Sequence, residues 1–107
     1  VVVESSGTQT ASIGTEHSLA TPSTAKTRVL FVDASALAST EVLELRFKGA
    51  VLSAGTERLI LLQSYTGVLA DPGTQSPPIV MPQGGTITLK QTSGTGRAFP
   101  WSVITLD

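Results

Sequence analysis

The sequence predicts an all-β domain, a β-sandwich or jelly roll of seven or eight short strands, and three observations carry that expectation. Apolar residues recur with period two rather than 3.6, the apolar runs are short, and turn residues break them about every 8–12 residues. The 107 residues suit a single domain of roughly 100–150 residues, long enough to bury a core without disulfides or a metal.

Residues 1–14 are rich in Ser, Thr and Gly and read as an N-terminal extended arm or a weak first strand, leaving 15–107 as the sandwich domain. A short strand at about 15–20 is closed by Thr21-Pro22-Ser23-Thr24. Lys26 to Asp33 follows, with Val29-Leu30-Phe31-Val32 apolar on both faces, as a sandwich-core strand requires. Asp33-Ala34-Ser35-Ala36-Leu37-Ala38 has the capping Asp and the alanines of one helical turn.

The clearest element is a hairpin of Glu41–Leu52 and Thr56–Gly67 around Ser53-Ala54-Gly55, with glycine at the left-handed position. Leu52 opposite Thr56 sets Leu43, Leu45 and Phe47 against Tyr65, Gln63 and Leu61. The other face then holds Glu44, Arg46 and Lys48 against Ser64, Leu62 and Ile60, so Ile60 and Leu62 stand on a charged face. Asp71-Pro72-Gly73 and Ser76-Pro77-Pro78 mark a loop, since prolines do not serve a central strand. Ile79-Val80-Met81 is a short apolar stretch. Thr86–Thr92 alternates Ile87 and Leu89 with Thr88 and Lys90. After the turn Ser93-Gly94-Thr95-Gly96, the last strand runs from Arg97 to Leu106, with Pro100 marking an edge or a bulge.

The composition excludes several kinds of chemistry. No cysteine means no disulfide, thiolate nucleophile, zinc finger or iron–sulfur cluster. A net charge of −1 argues against nucleic acid, and no apolar run approaches the ~18 residues of a membrane helix. Charged residues make up 14%, against about 25% in ordinary domains. Serine and threonine supply 27 of the 107 residues instead. Hydroxyls cost less to desolvate than ions, which favours a subunit that covers much of its exterior with neighbours. A secreted Ser/Thr-rich β module is the plainer alternative.

The candidate sites are few. His17 is the only imidazole and reads as a surface or hydrogen-bonded histidine, with Glu16 on the opposite strand face. No G-x-S-x-G elbow accompanies the serines, and Glu41 and Glu44, three apart on a strand, cannot flank one bond. Gly94-Thr95-Gly96-Arg97 lacks the spacing and helix start of a phosphate loop and reads as a hairpin turn. Tyr65, Phe99 and Trp101 suit either a sugar-stacking platform or the core, and the core is the better reading. The expectation is therefore a protein that is not an enzyme and carries no cofactor or metal.

Five stretches carry a resemblance, the first three being Asp33-Ala34-Ser35-Ala36-Leu37-Ala38, Glu44-Leu45-Arg46 and Gly55-Thr56-Glu57-Arg58. The most specific is Thr88-Leu89-Lys90-Gln91-Thr92-Ser93-Gly94-Thr95-Gly96-Arg97, followed by Trp101-Ser102-Val103. In these the chain resembles a group of small tailed-bacteriophage virion proteins, from about Ser12 to Val103. The motifs are strand-and-turn patterns rather than chemical ones.

The resemblance implies a capsid decoration, or cement, protein: a β-sandwich or jelly roll, commonly a homotrimer, that bridges major capsid protein subunits. Such a protein is made in the host cytoplasm and sits on the outer surface of the virion. Ile60 and Leu62, with Val1, Val2 and Val3 of the arm, are the expected oligomer or capsid contacts, the arm lying along a neighbour. The alternative function is a carbohydrate-binding β-sandwich module for virion adsorption, with Trp101 as its exposed aromatic.

Overall fold

A computed structural model describes residues 1–106. It is all-β, with nine strands in two antiparallel sheets. They are β1 (Val2–Thr10), β2 (Glu16–Ala20), β3 (Lys26–Asp33), β4 (Val42–Gly49), β5 (Arg58–Thr66), β6 (Gly73–Gln75), β7 (Ile79–Met81), β8 (Thr86–Gln91) and β9 (Ala98–Thr105). One sheet, here sheet A, runs β1-β9-β3-β6, with β7 also on β3; sheet B runs β2-β8-β4-β5.

β6 and β7 share one strand position, because β6 pairs with Phe31–Asp33 and β7 with Lys26–Arg28. Pro77 and Pro78 break the strand between them, having no N–H for the ladder. Ser76 repairs the gap: its N–H donates to the Leu30 carbonyl at 2.9 Å, and its hydroxyl accepts the Leu30 N–H at 3.0 Å. Counted by position there are eight strands, and they pair as a nest: first with last, second with seventh, third with sixth, fourth with fifth. That nesting is the connectivity of a jelly roll.

The core lies between the sheets. Leu43, Leu45 and Phe47 of β4 and Ile87 and Leu89 of β8 meet Leu30, Val32, Met81, Phe99 and Val103 of sheet A, and all are buried. β4 shows the cause most plainly, every second side chain being buried and the rest half-buried. The expected hairpin register holds from Leu43↔Tyr65 to Phe47↔Leu61. Beyond it Lys48 faces Leu59, so Ile60 is the extra residue of a bulge rather than the partner of Lys48.

Several local expectations change. The opening segment takes the strand form: Val2–Thr10 pairs with β9 as an edge strand of sheet A instead of standing off as an arm. Residues 33–38 form a turn and no helix; Ser35 N–H donates to Asp33 Oδ1 at 2.9 Å, an interaction that competes with helix initiation. The β4–β5 connection spans 50–57, longer than three residues, and Ala54 rather than Gly55 holds the left-handed φ, at 59°. Gly55 is needed for proximity, since a Cβ there would stand 2.9 Å from the Leu52 carbonyl oxygen. Pro100 precedes the point where β3 joins β9 at Trp101, so β9 is locally an edge there.

Candidate interaction surfaces

Nested pairing gives the sandwich two unlike ends. The connections 11–15, 34–41, 67–72 and 92–97 lie at one end, here the distal end. The connections 21–25, 50–57 and 82–85 lie at the other, with Val1 and Leu106, and this is the proximal end. Both follow from register: Val2 lies opposite Thr105, Thr105 opposite Arg28, and Lys48 opposite both Leu59 and Thr86.

The distal end is closed by internal hydrogen bonds. Glu41 is buried at the mouth of β4, and its Oε1 accepts from Ala38 N–H at 2.9 Å and Arg97 Nε at 3.1 Å. Its Oε2 accepts from Thr95 N–H at 2.9 Å and the Arg97 Nη2 at 3.0 Å. The Arg97 guanidinium, then the Thr95 and Ala38 amides, hold the Glu41 carboxyl down at about 2. The Gly94–Arg97 turn therefore does cradle an anion, and the anion is the protein's own carboxylate. Gln91, also buried, donates to the Ser93 and Thr95 carbonyls at 3.0 and 2.7 Å and accepts Arg97 N–H at 3.0 Å.

The proximal end carries most of the exposed aliphatics, beside the exposed charges of Glu57 and Arg58. Val1, Val2 and Val3, Val51 and Leu52, Leu59 and Ile60, and Val80 and Leu106 are all exposed there. Val51 and Leu52, at the hairpin tip, are each 74% exposed; among the described residues the large aliphatics exposed at the distal end are Val68, at 73%, and Ile13, at 43%. The loops beneath are tightly joined, Gly85 N–H donating to the Pro22 carbonyl at 2.9 Å. Ile60 rests on Gly49, where a Cβ would stand 2.9 Å from its Cδ1.

All five expected contact residues are exposed: Val1, Val2, Val3, Ile60 and Leu62. The fold does not bring them together. The valines lie on β1 at one edge of sheet A, whereas Ile60 and Leu62 lie on β5 at the opposite edge of sheet B. Val51, Leu52, Leu59 and Val80 were missed because the hairpin loop was read as too short and β7 as a plain apolar stretch. The run Ala50-Val51-Leu52 in a loop was the available signal.

The outer faces of the two sheets differ as well. On sheet B, Glu16 meets Lys48 Nζ at 2.7 Å and Arg46 at 3.5 Å, Arg46 meets Glu44 at 2.7 Å, and Thr88 donates its hydroxyl to Glu16 at 2.6 Å. Lys48, then Thr88, holds the Glu16 carboxyl below its ordinary value. These charges form an ordered lattice, and Leu62 stands opposite Arg46 at its margin. On sheet A the register leaves one charge facing outward, Asp33, beside Phe31, which is 39% exposed. An open depression there is lined by Phe31, Asp33, Gly73, Gln75, Pro100 and Ser102, among others.

The remaining candidates are structural in their contacts. His17 Nε2 accepts Ser12 N–H at 3.0 Å. Phe99 is wholly buried, Trp101 half-buried beneath β1, and Tyr65 packs against the core, so the three make no exposed platform. Glu41 and Glu44 have separate partners, Arg97 and Arg46. Comparison of the chain with protein-family models, curated proteins and solved structures returns no match.

Proposed function

We propose that this protein is a structural virion subunit that decorates and stabilises a tailed-phage capsid, bridging major capsid protein subunits from the outer surface. The observation that carries the reading is the gathering of exposed aliphatic residues at the proximal end of a sandwich whose distal end is internally satisfied. Exposed aliphatic side chains concentrated at one end suit a surface that a partner covers. Few charges stand in the way of dry contacts. The jelly-roll connectivity is common in virus shells and in lectins alike, so it supports the reading without choosing it.

The mechanism is contact alone. Many modest interfaces, each linking shell subunits, raise the barrier to rupture together. A homotrimer is the assembly proposed, and the valines on one edge with Ile60 and Leu62 on the other supply the two different patches that a closed ring needs. Light scattering with and without expanded empty shells tests this. A trimer that co-sediments with shells in fixed stoichiometry is expected, and Ile60→Asp with Leu62→Asp abolishes binding while the circular dichroism stays native. A wild-type monomer that ignores shells overturns the proposal.

A second reading has an observation of its own. Phe31 stands between Gln75 and Ser102 in register on the nearly uncharged face of sheet A, an aromatic flanked by an amide and a hydroxyl. Such a face suits a neutral glycan, and binding on a sugar array that is lost in Phe31→Ala supports that function over the first.

A further inference from the structure

β1 is a strand that the core does not use. None of its residues belongs to the core cluster, and only Ser5 and Gln9 are half-buried. Backbone pairing to β9 and two specific contacts hold it. A bulge between Val3 and Ser5 marks Glu4, whose carboxylate grips the wholly buried Arg28 with both oxygens. Arg28 Nε donates to Oε1 at 2.7 Å and Nη2 to Oε2 at 3.0 Å. The Thr24 carbonyl and hydroxyl accept from the rest of the guanidinium, each at 2.9 Å. Three residues on, Gly7 lies over the indole of Trp101, where a Cβ would stand 3.4 Å from the ring.

The β9 edge is thus a receptor with stated chemistry. It takes an extended strand that places a carboxylate on Arg28, and with Glu4 there Gly7 sits in ordinary contact with the Trp101 indole. We infer that β1 exchanges between copies, the β1 of one molecule occupying the β9 edge of a second. Every contact of β1 itself is recovered in the exchanged form, at the cost of turn bonds in the link, Ser12 N–H to His17 Nε2 and Thr15 N–H to the Ser12 carbonyl, which keeps strand swapping a low-cost route to association. The exposed link Ser12–Thr15 is where the chain path changes. Undocking β1 removes two of the four hydrogen bonds that the Arg28 guanidinium makes, so the edge selects for a donor that carries the acid. The inference goes beyond shell binding and stands without it.

The absence of cysteine makes the test clean. Ser6 and Ser102 are register partners on the outer face of sheet A, so Ser6→Cys and Ser102→Cys are made in separate chains. The two are mixed at high concentration under reducing conditions, then diluted and oxidised, with no shells present. Exchange predicts a disulfide heterodimer several-fold above either homodimer. It also predicts loss of the heterodimer when the Ser6→Cys chain carries Glu4→Gln. Thr10→Cys mixed with Ala98→Cys repeats the measurement at a second register pair. Heterodimer no more abundant than homodimer in both mixtures overturns the inference, whatever the shell experiment shows.

Discussion

The distal and proximal ends are built from the same few residue types, yet they spend their polar groups in opposite ways. At the distal end one carboxylate, Glu41, gathers the 34–41 and 92–97 connections through Ala38, Thr95 and Arg97, and Gln91 completes the turn from beneath. The amides that these turns would leave unpaired are bonded inside the protein, although Val68 and Ile13 stay exposed there. At the proximal end the loops are equally well joined, Gly85 to Pro22, but their tips carry Val51 and Leu52 instead of hydroxyls. Hydrogen bonds between loops are therefore common to both ends. What separates them is that one end has satisfied its surface and the other has not.

That contrast predicts that distal changes alter stability without altering association, and proximal changes the reverse. The largest effect on stability is expected from Gly94→Val. Gly94 has φ +87°, and a Cβ there runs into the Glu41 side chain, so both strain and displacement of the carboxylate follow. A loss of about 3 kcal/mol by urea unfolding is expected, with any oligomerisation measured below the transition unchanged. A loss within ~0.5 kcal/mol, the scale of an ordinary surface change, breaks the account of the distal end.

Acid should have the next largest effect. Glu41 titrates at about 2 in the folded protein against an ordinary value of 4.5, so its contribution is complete above 4.5 and disappears as the pH falls towards 2. Glu4 and Glu16 are lowered too, so the wild type should lose Tm through this window from several groups together. Glu41→Gln is expected to start with a lower Tm at neutral pH and to show a shallower acid slope. An unchanged slope in that variant means the carboxylate is not what closes the distal end.

The smallest stability effect belongs to Val51→Ser with Leu52→Ser. Both side chains are already in water, so the change is expected to stay within ~0.5 kcal/mol. Sedimentation with shells, or of the protein alone at high concentration, should nevertheless weaken markedly. A fall in Tm with association intact would show that the hairpin tip is folded against the molecule after all.

Much of the fold was legible because period-two patterning in a half-buried strand has one physical cause. Leu43, Leu45 and Phe47 alternate with Glu44, Arg46 and Lys48 since successive side chains leave a strand on opposite faces, and the register through Phe47↔Leu61 follows. Legibility stopped where a side chain acts as backbone or the backbone slips by one residue. Ser76 standing in for a ladder carbonyl, and the bulge that frees Ile60 from Lys48, leave no periodic trace. Ile60 and Leu62 were legible as apolar positions on a charged strand face, whereas Val1, Val2 and Val3 were legible only as the start of an extended segment. The loop residues beside them were not, because an apolar pair in a loop has no period to betray which way it faces.

The chain by itself determined the all-β class, most of the turns though not the length of the 50–57 connection, the apolar strand faces and the low charge that leaves dry contact feasible. Those are local properties, set by side-chain alternation, by proline and glycine, and by residue chemistry. Only the tertiary structure decided which strands are neighbours, and with that which loops share an end. Glu41 reaches Arg97 across 56 positions, and Glu4 reaches Arg28 across 24. Nested pairing alone brings such partners together, and pairing between distant strands is a property of the packed sheets that no local window of sequence contains.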